Sequence, residues 1–159
     1  MNHPTTGQLR HVCVGAARPL AVGGRSVLSG IGKRPVAGAV AVGPLGLAGD
    51  EQADLSVHGG LQKAVYAYPV EHAEFWRAQR RAAGVSLFDE ALAPGLVGEN
   101  LAIAGLAERA VWVGDTLQFA GGCVLRVTAP REPCGKFNAV MGLAQAARLM
   151  VQQARCGFY

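Results

Sequence analysis

Apolar residues fall into short runs that glycine and proline interrupt, which predicts a β-rich chain with a few helices. A valine-containing run over residues 9–16 predicts a first strand. Residues 116–128 predict a hairpin, because Gly121 and Gly122 can supply the positive φ angles of a two-residue turn. That register places Phe119 opposite Val124.

Two other stretches carry apolar residues at helical spacing. The first covers residues 69–83, where Pro69 suits the first helical position and Gly84 suits the end. The second covers about residues 143–154, and Gly157 follows it. At 159 residues the chain is expected to form a single domain of mixed α/β content.

Composition and charge exclude several classes of protein. The net charge of +4 comes from scattered basic residues, whereas a nucleic-acid surface usually shows a basic stripe interleaved with aromatic residues. This charge suits a small anionic ligand instead. Glycine and proline break every long apolar run before it reaches the roughly 20 residues that span a bilayer. The polar N-terminus does not resemble a secretory signal, so the cytoplasm is the expected compartment.

The cysteines favour reduced thiols over a structural framework. They occur at positions 13, 123, 134 and 156, with neither CxxC pairs nor the dense even spacing of a disulfide scaffold. We therefore expect no zinc ion or iron–sulfur cluster held by the chain alone.

Cys134 lies in the most distinctive loop of the chain, TAPREPCGKFN. Pro130 and Pro133 hold this segment extended, so the cysteine is presented on a rigid backbone. Arg131 and Lys136 flank it, and nearby cations stabilise the thiolate, which attacks electrophiles and binds metals. A free cysteine is more often a buried, inert apolar group. The surroundings here favour a functional thiol without naming its chemistry.

A second informative stretch is DEQADLSVHGGLQK, in which His58 precedes two glycines. Such a turn can bring an imidazole and open backbone N–H groups together to face an anionic oxygen. It can equally be a hairpin turn whose histidine caps a carbonyl. Lys33 and Arg34 are candidates for anion contact, or a solvated loop pair. The segment Gly98-Glu99-Asn100 is either a hydrogen-bond hub or part of a pocket wall.

Five segments together resemble the MOSC-domain family, which is related to the C-terminal part of molybdenum cofactor sulfurases. They are GDEQADLSVHGGLQKAVYAYP, GLVGENL, VWVGDTLQF, TAPREPCGKFN and RCGFY, in the family's order. The resemblance is strongest to the bacterial branch of the 6-hydroxyaminopurine reductase type. It implies a β-barrel-like fold with a few packing helices and a molybdenum-cofactor pocket, and the family is also associated with pyridoxal phosphate binding.

The resemblance also implies a set of site residues. Cys134 matches the loop cysteine that ligates molybdenum or carries sulfur, and His58 is a candidate proton donor. The family pattern further maps onto Asp54, His58, Lys63, Arg131, Lys136 and Asn138. We expect Lys33, Arg34, Arg131 and Lys136 to converge on the phosphate of the cofactor.

Two functions follow from the resemblance. The first is the reduction of N-hydroxylated bases by a molybdenum enzyme that takes electrons from a separate reductase. The alternative is a non-catalytic module that binds the cofactor or carries sulfur as a Cys134 persulfide; a relative that folds without activity is a third possibility. Relatives often carry a bulky residue at the position of Gly135, and they continue past RCGFY. The single domain over residues 1–159 is therefore expected to lack their C-terminal extension and to dimerise or aggregate through an open strand edge.

Overall fold

The computed structural model describes residues 5–88 and 90–159, and strands are its most frequent elements. The strands are β1 (Gln8–Val14), β2 (Arg18–Val22), β3 (Arg25–Ser29), β4 (Arg34–Val36), β5 (Val42–Gly43), β6 (Gly46–Leu47), β7 (Ala67–Pro69), β8 (Leu101–Ala104), β9 (Thr116–Gln118) and β10 (Val124–Arg126). The helices are α1 (His72–Ala82), α2 (Gly135–Met141) and α3 (Ala146–Gln152). The predicted β-rich, mixed α/β class is confirmed.

The largest sheet has the order β4-β1-β8-β7. Strand β1 pairs antiparallel with both β4 and β8, whereas β7 runs parallel to β8. Strands β2 and β3, β5 and β6, and β9 and β10 form three two-stranded sheets. Across the part of the chain that is described, these pairings form open sheets and do not close a barrel.

Strand β7 separates two apolar cores. Successive side chains of a strand point to opposite faces, so Val65 and Ala67 join a cluster built on the sheets, while Tyr66 and Tyr68 join a cluster built on the helices. Trp76 is a fully buried member of the helical cluster. The segment leading into β7 therefore lies between the two cores, and Tyr66 can reach from the helical core toward the loops.

The first helix begins later than predicted. Pro69 was expected at its first position, but this residue ends β7 and pairs with Ile103, and α1 starts at His72. A proline fits both settings because neither an edge position nor a helix start needs its missing N–H group. Parallel pairing with β8 therefore decides which element Pro69 joins.

The predicted hairpin is present, but its register differs by one residue. Val124 pairs with Gln118 instead of Phe119, and the N–H of Phe119 donates to the carbonyl of Cys123 over 2.9 Å. The connection therefore has three residues, and its last residue, Gly122, has a φ of 83°. Three-residue hairpin loops commonly end with a residue in this left-handed region.

The C-terminal residues bind to the centre of the fold. Phe158 exchanges backbone hydrogen bonds of 2.8 and 3.0 Å with Ala67, and it also bridges to Pro130. Tyr159 donates its N–H to the carbonyl of Ala129 over 2.9 Å. The RCGFY segment thus joins β7 to the loop that carries Cys134.

Within residues 5–88 and 90–159, no helix is long and apolar enough to cross a membrane. The longest, α1, has 11 residues.

Candidate functional site

The histidine turn, the cysteine loop and the C-terminus meet at one cavity of about 70 Å³. Seven of the nine predicted site residues line it: Lys33, Asp54, His58, Lys63, Arg131, Cys134 and Lys136. Clefts that enclose a whole small ligand usually measure about 300–1,000 Å³. The described residues therefore enclose only one end of a ligand of that size.

Cys134 contributes an activated thiol to this cavity. Its backbone is extended, with φ of −129° and ψ of 178°, and α2 begins at the next residue. A hydrogen bond from His58, the backbone N–H of Lys136 and the charge of Arg131 together outweigh partial burial and lower the pKa of Cys134 to about 7. A substantial fraction is therefore thiolate at neutral pH, the form that attacks electrophiles and binds metals.

The remaining cysteines differ from Cys134 in surroundings. Burial raises the pKa of Cys13 to about 12, and burial also raises the pKa of Cys156. Cys123 lies on the tip of the β9–β10 hairpin and lines a different cavity.

The turn that places His58 beside this thiol is held by hydrogen bonds within the turn itself. The N–H of His58 donates to the carbonyl of Asp54 over 2.8 Å, and Gly59 and Gly60 have φ angles of 145° and 77°. The Lys63 ammonium donates to the carbonyl of Val57 over 3.0 Å and so ties the end of the turn to its middle. Lys63 is thus partly committed to the loop, although it also lines the cavity.

The Asp54 carboxylate is engaged within the same turn. It accepts hydrogen bonds from the hydroxyl and N–H groups of Ser56, and these hydrogen bonds lower the pKa of Asp54. Its charge is therefore retained at neutral pH at the mouth of the cavity, where it also faces Lys136 and His58.

Arg131 supplies a buried cation. Its guanidinium carbon lies 4.9 Å from the centre of the Tyr66 ring and 5.5 Å from that of Phe137, distances typical of cation–π contact. Nη1 also contacts Met150 Sδ at 3.8 Å. Tyr159 accepts a further hydrogen bond from the side chain. Among the residues that the structure describes, no carboxylate lies within ion-pair distance of Arg131, so its charge is available to an anionic ligand.

The four predicted anion contacts do not all converge. Arg131, Lys136 and Lys33 line the cavity, but Lys33 is ion-paired with the buried carboxylate of Asp50. Arg34 is exposed on β4 and does not line the cavity. Lys33 precedes β4 and is held inward, where its backbone N–H donates to the carbonyl of Gly95 over 2.9 Å, whereas Arg34 begins the exposed strand β4.

Asn138 also lies outside the cavity. Its Oδ1 accepts a hydrogen bond of 2.7 Å from the N–H of Ala147, where α3 begins. The side chain therefore fixes α3 against α2.

Among the other residues that line the cavity are Asp50, Tyr66 and Tyr159, to which sequence reasoning assigned no role. Asp50 lies among other acidic residues of the histidine stretch, and the two tyrosines belong to apolar segments. Their position depends on long-range pairing, since Tyr159 arrives through the contacts of Phe158 with β7.

Asn100 is a hydrogen-bond hub beneath the cavity. Its Oδ1 accepts from the N–H of Tyr66 over 3.1 Å, and its Nδ2 donates to Asp50 over 2.9 Å and to the carbonyl of Cys13 over 3.2 Å. Asn100 also lines the cavity. The Gly98-Glu99-Asn100 segment is therefore both a hydrogen-bond hub and part of a pocket wall.

Replacing Asn100 with Ala should lower the free energy of unfolding by about 2–4 kcal/mol, because buried groups of Tyr66 and Asp50 lose their partner. Chemical denaturation monitored by circular dichroism measures the change. Gln153→Ala, on an exposed position after α3, is the control and should change the free energy by less than about 0.5 kcal/mol. An equal effect of the two substitutions would contradict the hub.

The reactivity of Cys134 should report its environment directly. In wild-type protein, alkylation of Cys134 by iodoacetamide should rise with a midpoint near pH 7, the pKa to which its partners lower it. His58→Ala should move the midpoint toward about 8.5 and slow the reaction at pH 6 roughly five- to tenfold. Peptide mass spectrometry separates Cys134 from the other cysteines, and an unchanged midpoint would refute the hydrogen bond.

This ionisation is also linked to stability. The folded-state pKa of Cys134 lies below the usual value of about 8.5, so ionisation favours the folded state above that pH. The contribution is lost as the pH falls through about 7.

The cavity can complete a metal site only if the metal arrives with other ligands. Over the described ranges, no group of three or more His, Cys, Asp or Glu side chains is placed to hold a metal ion. One thiolate and several cations do suit a metal complex that brings soft sulfur ligands and an anionic group of its own.

Comparison with known proteins identifies the family. The profile of the MOSC domain matches residues 54–159, which include both the histidine turn and the cysteine loop. The chain belongs to the MOSC-domain family. The match begins at Asp54 and ends at Tyr159, so it covers most of the cavity wall in this MOSC-domain protein.

Relatives agree with this assignment. YflK of Bacillus subtilis (strain 168) is 36% identical over 146 residues, which is 92% of this chain and 62% of that protein. YiiM of Escherichia coli (strain K12) is 38% identical over 130 residues, or 82% of this chain and 55% of YiiM. A protein of Gibberella moniliformis named "Reductase" is 32% identical over 98% of this chain and 26% of its own length.

A solved structure shares the fold. The crystal structure of YiiM from Geobacillus stearothermophilus superposes with a TM-score of 0.69 at 29% identity, covering 97% of this chain and 66% of that one. The chain thus spans about three fifths of the two bacterial relatives.

Proposed function

We propose that this MOSC-domain protein binds a molybdenum cofactor through Cys134 and reduces N-hydroxylated compounds such as N-hydroxylated bases. The observation that carries the proposal is the thiol of Cys134, whose pKa is lowered to about 7 inside a cavity lined by Arg131 and Lys136. The relative from Gibberella moniliformis named "Reductase" supports the reaction class.

The residues present fit such a cofactor. A molybdopterin-type cofactor is anionic and brings its own sulfur ligands, so the protein needs to add one soft ligand and positive charge. Cys134 provides the thiolate, and the guanidinium of Arg131 provides buried positive charge. Lys136 provides a second cation at the beginning of α2.

The protein would contribute orientation and proton control. When bound, the cofactor supplies the two-electron redox chemistry that no side chain of the chain can supply. His58 holds the Cys134 sulfur by a hydrogen bond and, as an imidazole at the cavity wall, can hold or donate one of the protons that reduction of an N–OH group to N–H and water consumes. Cation–π contacts with the Tyr66 and Phe137 rings help to hold Arg131 in place.

The proposal includes a separate reductase that supplies the electrons. We keep the cytoplasm as the expected compartment and a homodimer as the expected assembly. Both stay predictions.

The proposal is tested by loading the protein with the cofactor in cells that make it and supplying electrons from a chemically reduced dye. Wild-type protein should reduce an N-hydroxylated base, and Cys134→Ser should reduce it at least about 100-fold more slowly, a loss of roughly 2.7 kcal/mol in the barrier. Cys123→Ser is the matched control and should keep its activity. Equal rates in Cys134→Ser and wild type would overturn the proposal.

The same thiol would support the alternative, sulfur transfer by a Cys134 persulfide, because a lowered pKa also favours attack of the thiolate on the outer sulfur of a donor persulfide, whose remaining part leaves as a thiolate. Mass spectrometry distinguishes the two functions. A persulfide on Cys134 in protein that carries no molybdenum would favour the carrier.

A further inference from the structure

A second cavity of about 270 Å³ lies under α1 and shares no lining residue with the first. Its wall is mostly apolar, with the aromatic side chains of Tyr68 and Trp76 and the aliphatic side chains of Val70, Leu92 and Leu96. An apolar protein cavity of about 150 Å³ accepts a benzene molecule. This one has room for one or two aromatic rings.

Glu99 also lines the second cavity. It is only 5% exposed, and its Oε1 accepts a hydrogen bond of 2.6 Å from the N–H of Gly95. Oε2 is buried and has no hydrogen-bond partner among residues 5–88 and 90–159. Burial raises the pKa of Glu99 to about 7 against backbone hydrogen bonds that lower it.

An unpartnered buried carboxyl oxygen is costly in either protonation state. Ionised, it lacks a cation, and protonated, it lacks an acceptor for its own proton. No described lysine or arginine forms an ion pair with it, since Arg131 acts on Glu99 only at longer range. Glu99 lines the cavity, so a ligand bound there could partner Oε2 while the apolar wall holds the rest of it.

We infer that the second cavity binds a small aromatic cation, with its rings against Trp76 and an N–H group directed to Oε2 of Glu99. Arg10 and His11 are exposed residues of β1 that also line the cavity, and a positive charge near Arg10 would be repelled. The ligand therefore carries its positive charge beside Glu99 and away from Arg10. This inference does not depend on the proposed reaction at Cys134.

Two-dimensional NMR of the tryptophan indole N–H groups tests the inference. The probe is 2-aminobenzimidazole, a planar cation with an N–H edge, and the control compound is indole-2-carboxylate, which has two fused rings and the opposite charge. The probe should shift the Trp76 signal saturably, because Trp76 lines the cavity and donates to Tyr68 over 2.7 Å. Trp112 is 75% exposed and should serve as the unshifted reference.

Three variants sharpen the test. Glu99→Gln keeps an oxygen for Gly95 but loses the charge, and it should weaken the dissociation constant at least about tenfold. Ala73→Leu fills the cavity from α1 and should abolish the shift, which keeps the test valid if Glu99→Gln does not fold. Cys134→Ser should bind the probe with the same dissociation constant as wild type.

Saturable binding with these variant effects would support the site. The inference is overturned if both compounds shift Trp76 equally, or if folded Glu99→Gln binds as tightly as wild type. Loss of binding in Cys134→Ser with binding retained in Ala73→Leu would place the probe in the first cavity and overturn it too.

Discussion

Replacing Cys134 with Ser is expected to remove molybdenum from the protein. Wild-type protein purified from cells that make the cofactor should carry up to one molybdenum per chain, and the variant should fall to background. The reason is that the surroundings of Cys134 lower its pKa to about 7 and so favour a soft thiolate ligand, whereas a serine hydroxyl offers a hard, protonated oxygen. Inductively coupled plasma mass spectrometry gives the ratio.

Cys123→Ser is the matched control for this measurement. Cys123 is a half-buried thiol away from the first cavity, so its replacement should leave the molybdenum content within error of wild type. A Cys134→Ser variant that keeps the full content would rule out Cys134 as a required ligand.

Gly157→Ala should be the most destabilising single methyl addition in the C-terminal segment. Gly157 has a φ of 68°, and an added Cβ would lie 2.5 Å from the carbonyl oxygen of Ala67 and within 3 Å of the Tyr66 and Tyr68 rings. Left-handed backbone costs a non-glycine residue about 1–2 kcal/mol, and overpacking costs about 1–3 kcal/mol more. The melting temperature should fall by roughly 5–15 °C.

Substitutions of two other glycines separate the backbone cost of Gly157→Ala from its packing cost. Gly122→Ala has a positive φ of 83° but open space, so it should show only the backbone cost of about 1–2 kcal/mol. Gly135→Ala should be nearly neutral, because its Cβ would meet only Val22 at 4.0 Å. A melting temperature for Gly157→Ala no lower than that of Gly122→Ala would contradict the close packing described here.

The two loops of the candidate site could be predicted from sequence because each carries its own local information. Prolines fix the backbone around Cys134, and consecutive glycines mark the turn after His58. The family resemblance placed both loops at one cavity, and the structure does bring them together. Local chemistry and family pattern agree at these positions.

The contacts of the cations could not be predicted in the same way. Lys33 and Arg34 are adjacent and equally basic, but Lys33 is buried against Asp50 whereas Arg34 begins the exposed strand β4. The buried partner of Lys33, Asp50, is distant in sequence and was indistinguishable from its acidic neighbours. Partner choice of this kind depends on long-range packing, which a hydrophobic pattern along the chain does not specify.

The hairpin shows a similar limit. Gly121 and Gly122 fit a two-residue and a three-residue loop equally well, and the chosen loop shifts every cross-strand pair. The start of α1 was misjudged for a related reason, since Pro69 satisfies the rules for a strand end and for a helix start alike.

The central claim, that the Cys134 sulfur binds molybdenum, is tested most directly by X-ray absorption at the molybdenum edge. In cofactor-loaded wild-type protein, the metal should show one sulfur neighbour more than the cofactor alone provides. His58→Ala, which keeps the thiol, should retain this sulfur neighbour, whereas metal still present in Cys134→Ser should lack it. An identical sulfur count in wild type and Cys134→Ser would contradict the claim.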